Sequence, residues 1–287
     1  MEGNFSGYSD AFDSDLALER RRVSCYTEGV EYKRDVCFGG VWDRIKVTSE
    51  AGEKSIGRPV GLYDTLTLPH MDSIMPDDVE DAKDEMAREL CRMCDLCDIA
   101  PMRILVVGLG NRDLTPGAIG TAAALEVEAT MHIKKSDPEL FESLGCSEIC
   151  VLCPDVTANS GMNSSDIVKG VVAQVKPNVI FAIDSLASRS SERLGNTIQV
   201  SSTGIIPGTG VGHNGGRLDR ESLGVPVIAI GIPTVISTRA FCRETGADRE
   251  KISKEYFLSP KGINRIVKNG AKIIGGGINQ AFGVCYF

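Results

Sequence analysis

From Arg103 onward the chain alternates short, apolar, β-branched runs with loops and helix-like stretches. No other feature constrains the fold as strongly. RILVV (Arg103–Val107), Ser147–Leu152, Asn178–Ile183 and VPVIAI (Val225–Ile230) each read as a strand buried on both faces. Between and after them, Pro116 opens a helix, Ser164–Val175 is an amphipathic helix, and Arg265–Ala281 reads as a helix interrupted by Gly275, Gly276 and Gly277. Strands alternating with helices predict an α/β fold: a three-layer sandwich around a mostly parallel sheet, with helices on both faces. Upstream, residues 35–69 read as β structure, and Pro76 opens a helix to about Cys97 with acids in its first turn, where the helix dipole favours them. With no internal repeat and no low-complexity linker, residues 16–287 read as a single domain whose N-terminal part, about 35–70, is β-rich.

The Asn178–Ile183 run stops at Asp184, and Ser185–Arg193 reads as a loop entering a helix. Asp184 is thereby expected at the carboxyl end of a central strand, where open α/β sheets bind ligands. A carboxylate there can be a general acid/base, a metal ligand or the cap of the next helix. The glycine-rich loop GLGNRDLT (Gly108–Thr115) follows another strand. It does not fit a dinucleotide fingerprint, because Asp113 stands where the third glycine is needed. It reads as a tight turn that can bring backbone N–H groups (Gly110) and Asn111 to a reactive carbonyl. A second loop, PGTGVGHNGG, is either plain surface linker or a place where a peptide backbone can approach closely, at Gly210 and beside His213. No G-x-S-x-G elbow and no H-E-x-x-H pair is present.

The formal charge of −8 argues against a nucleic-acid surface. No apolar run approaches the ~18 residues of a membrane span, and the polar N-terminus has no signal-peptide core, so a cytoplasmic protein is expected. Ten cysteines without an export signal read as reduced thiols. Cys91, Cys94 and Cys97 have a metal-compatible spacing but spread around a charged helix, so no metal and no cofactor is expected.

RILVVGLGNRDLTPGAIG, SSDIVKGVVAQVKPNVIFAIDSLASRS, TIQVSSTGIIPGTGVG, LGVPVIAIGIPTVI and LSPKGINRIVKNGAKIIGGGINQAF follow one another in order, with SDLALE near the N-terminus. Together they resemble the germination protease (spore protease) family over most of the chain. The resemblance implies an endopeptidase that degrades small acid-soluble spore proteins during germination. It also implies synthesis as a self-processing zymogen in the spore core, assembly as a tetramer, and a fold similar to hydrogenase-maturation proteases. The family is regarded as atypical aspartic peptidases using two aspartates. One falls on Asp184. In SDLALE, cleavage would lie between Asp15 and Leu16, making residues 1–15 a propeptide.

The chain departs from that pattern. Where the family carries its other aspartate, GLGNRDLTPGAIG has Gly117, and in PDVTANSG Asp155 replaces a glycine. An aspartic mechanism wants two carboxylates sharing a proton. Asp155 or Asp113 is therefore the expected replacement partner. Where the family has a long insertion, only a short segment joins Ala240 to Phe257. Two alternatives remain open: a weak or inactive homologue that binds spore proteins or fellow subunits, favoured by Gly117, and a metal-dependent hydrolase using Asp184, Asp155 and a histidine.

Overall fold

The computed structural model describes residues 14–19, 27–37, 39–100, 102–208, 216–248 and 254–284. Its strands are β1 (Val30–Cys37), β2 (Gly40–Val47), β3 (Gly61–Thr67), β4 (Arg103–Gly108), β5 (Glu148–Leu152), β6 (Val179–Ser188), β7 (Thr197–Ser201), β8 (Val227–Ser237) and β9 (Phe257–Leu258). Its helices are α1 (Glu50–Ile56), α2 (Pro76–Leu96), α3 (Ile119–Leu125), α4 (Met131–Ser136), α5 (Pro138–Leu144), α6 (Thr157–Ser160), α7 (Ser164–Val175), α8 (Arg220–Leu223), α9 (Thr238–Thr245) and α10 (Ile263–Phe282). All nine strands join one sheet in the order β1-β2-β3-β7-β8-β6-β4-β5, with β9 on the far end of β8. Pairing is parallel across β5-β4-β6-β8, the part that the strand–helix alternation foretold. From β8 through β7 and β3 to β1 it is antiparallel.

The β-branched runs form the middle of this sheet because helices cover both faces. On one face Val106, Phe181, Ile183 and Ile230 pack against Met86 and Leu90 of α2, Ala123 of α3, and Ile274 and Ile278 of α10. The neighbouring positions Leu105, Val107, Ile180, Ala182 and Val227 point to the other face and meet Val168 and Val172 of α7. Each fully buried Ile, Val or Phe there stabilises the fold by about 1.5–3 kcal/mol. The glycine triplet does not interrupt α10, which runs unbroken to Phe282. Its glycines serve close packing instead: a Cβ on Gly277 would lie 2.6 Å from Met86 Cγ, and one on Gly275 would lie 2.7 Å from the Ala123 carbonyl.

Two local expectations are corrected. The β6 strand does not stop at Asp184. It continues to Ser188, and no helix begins in 185–193. The reason is β8, which extends to Ser237 and offers parallel partners for the extra residues, from Asp184↔Gly231 to Ser188↔Ile236. Being inside a strand, Asp184 is not a helix cap. TIQVS (Thr197–Ser201) is the buried strand β7, and it joins β8 to the N-terminal strands.

Candidate active site

Asp184 is 7% exposed in the middle of the sheet. Its Oδ1 accepts a 2.7 Å hydrogen bond from the Ser185 N–H. The Gly208 N–H also donates to its carboxyl. Burial pushes its pKa up, the negative charge of Asp15 adds to that, and the two N–H donors oppose it, leaving the carboxyl at about 7.

The loop after β4 closes over this carboxyl. Gly108 pairs with Ile183, and the Leu109 N–H donates to the Ile183 carbonyl at 2.8 Å. Gly110 then adopts φ +97°, open to glycine but strained for other residues. Where a Gly110 Cβ would sit, the Gly117 carbonyl oxygen is 2.1 Å away and Asp184 Oδ1 is 3.6 Å away. A side chain at 110 would therefore press into both. The turn Thr115–Gly117 is pinned by the Pro116 carbonyl, which accepts from Ser185 Oγ at 2.8 Å and from Thr234 Oγ1 at 2.7 Å. Gly117 is thus held beside Asp184.

The SDLALE segment docks on the same region. Asp15 donates its N–H to the Ala187 carbonyl (2.9 Å) and accepts the Ala187 N–H on its carboxylate (2.8 Å). The Asp15 carbonyl accepts from Gln199 Nε2 at 3.2 Å, and the Ala17 N–H donates to Gln199 Oε1 at 2.8 Å. Leu16 and Ala17 are fully buried, and Ala17 packs with Ile45, Val47 and Tyr63. Glu19 fastens the far end by accepting from Ser188 Oγ (2.7 Å), Arg189 N–H (2.7 Å) and Ser190 N–H (3.1 Å). A cavity of about 360 Å³ opens beside the segment, lined among others by Asp15, Arg58, Leu186, Gln199 and Gly231.

The structure thus brings together Asp184, Gly110 and Asp15. Asp155 is engaged elsewhere. It lies at φ +64°, and its carboxylate accepts from the Val156 N–H (2.7 Å) and Asn159 Nδ2 (3.1 Å) at the start of α6. Asp113 is exposed, and its N–H donates to Asn111 Oδ1 at 2.9 Å, so the Asn111 oxygen closes its own turn. The carboxylate charge acting on Asp184 is that of Asp15, not of Asp155 or Asp113. Gly210 and His213 lie outside the described residues, as do residues 1–13. Sequence reading missed Gln199, Ala187 and Gly208. Only Gln199 carries a signal, a lone amide inside the apolar run TIQVS.

Among the described residues no group of three or more His, Cys, Asp or Glu is placed to hold a metal ion. Cys91, Cys94 and Cys97 sit on or at the end of α2 as free thiols, and burial pushes Cys94 up to about 12. No helix among them is long and apolar enough to cross a membrane.

The family profile described as germination protease matches residues 15–246. A germination protease of Caldanaerobacter subterraneus subsp. tengcongensis is 34% identical over 308 residues, spanning 93% of each chain. One from Clostridium acetobutylicum is 31% identical over 308 residues, spanning 93% of this chain and 94% of that one. Among solved structures, a [NiFe] hydrogenase maturation protease, HycI from Thermococcus kodakarensis KOD1, aligns with a TM-score of 0.37 at 16% identity. That alignment covers 64% of this chain and 99% of HycI, a likeness too small to bear on the site.

Proposed function

The chain belongs to the germination protease family, and we propose that it is an endopeptidase in which Asp184 activates water. The observation that carries the reading is the Asp15–Leu16 junction, held by Ala187 and Gln199, with the Asp15 charge acting on that buried carboxyl. A carboxyl near 7 is partly ionised at neutral pH. It can take a proton from water and later return it, which is the range a general acid/base needs. One such group serves both steps in turn: as carboxylate it deprotonates the attacking water, and as carboxylic acid it protonates the leaving amide nitrogen.

The docked segment supports a zymogen that processes itself between Asp15 and Leu16. The same cleft would take an extended segment of a small acid-soluble spore protein, consistent with the relatives' name. A homotetramer in the spore core belongs to the same reading. Gly117 favours a second one, a binding homologue with little activity, because glycine supplies neither acid nor base.

Intact mass of the purified chain over time, alone and with a spore-protein substrate, separates the two. Loss of the first 15 residues or substrate cleavage, both abolished in Asp184→Asn, is the expected result. No cleavage by folded protein under any condition would establish the binding homologue.

A further inference from the structure

We propose that Gln199 is the group that polarises the scissile carbonyl. The inference rests on the endopeptidase reading and assigns a second residue to its reaction.

The geometry starts from the register of three strands. Gln199 of β7 pairs with Gly231 of β8, and Gly231 pairs with Asp184 of β6. Residues paired in register project from the same face of a sheet. The Gln199 amide and the Asp184 carboxyl therefore stand in one row, separated by a residue without a side chain. A Cβ on Gly231 would come within 2.6 Å of Leu186 Cγ, so the Leu186 side chain covers the glycine between them. The chain's own Asp15–Leu16 junction is anchored at the two ends of this region, on Gln199 of β7 and on Ala187, three residues on from Asp184 in β6.

The two hydrogen bonds of Gln199 fix its orientation. Oε1 must face the Ala17 N–H, because that donor needs an acceptor (2.8 Å). Nε2 is then turned to the Asp15 carbonyl (3.2 Å). A single side chain so grips the carbonyl of one residue and the N–H two residues on. These are main-chain atoms, so any extended substrate is held in the same way, whatever its side chains. Gln199 is 8% exposed, and a donor in such a place stabilises developing charge more strongly than it would in water.

The reaction balances with water as the only co-reactant. Water oxygen bonds to the Asp15 carbonyl carbon, and its proton passes to the Asp184 carboxylate. The carbonyl π electrons move onto the oxygen that faces Gln199 Nε2. Collapse of that intermediate breaks the Asp15–Leu16 C–N bond, and protonated Asp184 returns its proton to the leaving nitrogen. The products are a carboxyl group on Asp15 and an amine on Leu16.

The test uses the full chain and three variants, following release of the first 15 residues by intact mass and exchange of the Ala17 amide hydrogen. Gln199→Glu keeps an acceptor for Ala17 but loses the donor. Gln199→Met matches the side chain in size and loses both. Asp184→Asn removes the base. The expected result is release slowed about 10²–10³-fold in both Gln199 variants, the usual cost of losing one oxyanion donor. Ala17 stays protected in Gln199→Glu but not in Gln199→Met, which separates polarisation from mere anchoring. If either folded Gln199 variant releases at the wild-type rate while Asp184→Asn is blocked, Gln199 has no such role and the Asp184 reading stands. If Asp184→Asn releases as wild type does, or wild type releases nothing, the Asp184 reading falls and this one with it.

Discussion

Asp15 and Ala187 hold each other twice: the Asp15 N–H donates to the Ala187 carbonyl at 2.9 Å, and the Ala187 N–H donates to the Asp15 carboxylate at 2.8 Å. The second bond fixes the Asp15 charge at Ala187, three residues on from Asp184 in β6, and that charge helps to hold the Asp184 proton. Asp15→Asn keeps an acceptor for Ala187 and removes the charge. The expected outcome is self-release whose pH midpoint moves to lower pH than in the wild type. Rate constants measured between pH 5 and 8 check this, and an unmoved midpoint would mean that Asp15 does not tune Asp184.

The folded-state pKa of Asp184 is raised, so its linkage to stability has a definite sign. Below about pH 4 the carboxyl is protonated in both folded and unfolded chains, and its contribution is fully present. As pH rises toward about 7 the unfolded chain ionises first, and that contribution is lost. Asp184→Asn does not titrate. Its stability should therefore exceed that of the wild type increasingly from pH 4 to 7, by a few kcal/mol at most, and the difference should level off above that. Urea midpoints of both proteins across pH 4–8 decide it, and parallel pH curves would show that Asp184 is not buried as described. Asp64, which burial and Glu89 push up to about 8, contributes a similar slope to both proteins and cancels in the difference.

Asp155→Asn should leave proteolysis unchanged. Its carboxylate is occupied by Val156 and Asn159, and an asparagine oxygen can still accept from Val156. Asparagine also tolerates the left-handed conformation at φ +64°. The loss should be within about 1 kcal/mol of stability, the scale of a helix cap. A cleavage rate reduced tenfold or more at unchanged melting temperature would return Asp155 to the reaction.

The parallel half of the sheet was legible because its strands are buried on both faces and read as uninterrupted apolar runs. Asp184 stood out for the same reason, as a charge at the end of such a run. Its place within the strand was not legible, since the four residues after it, Ser185-Leu186-Ala187-Ser188, are mostly small and carry no periodic signal. What extends them is the partner strand β8, a contact between residues about fifty positions apart in sequence. The partnership of Asp15, Gln199 and Asp184 is of the same kind. It spans the N-terminus, β7 and β6, and nothing local in SDLALE or TIQVS announces it. Asp155 reads as a candidate partner in the sequence because it also follows a strand. Only the fold shows that its carboxylate turns back into its own loop.

Gly117 is the position at which activity should be recoverable. A Cβ there would meet nothing closer than the Asn111 N at 3.7 Å and O at 3.8 Å, ordinary contact distances, unlike the clash awaiting any side chain at Gly110. The turn that carries it is tied to β6 through Ser185 and to β8 through Thr234, so an added carboxyl would be held near Asp184 rather than drift in solvent. Two carboxyls so close cannot both ionise readily and would share a proton, one acting as base while the other acts as acid. Gly117→Asp should therefore fold as the wild type does and cleave faster, by about 10²-fold for a well-placed general acid. Its pH profile should become bell-shaped where the wild type shows the Asp184 limb alone. Self-release and substrate cleavage followed by mass between pH 4 and 9 give both readings. A folded variant with the wild-type rate and profile would show that a side chain at 117 does not reach Asp184.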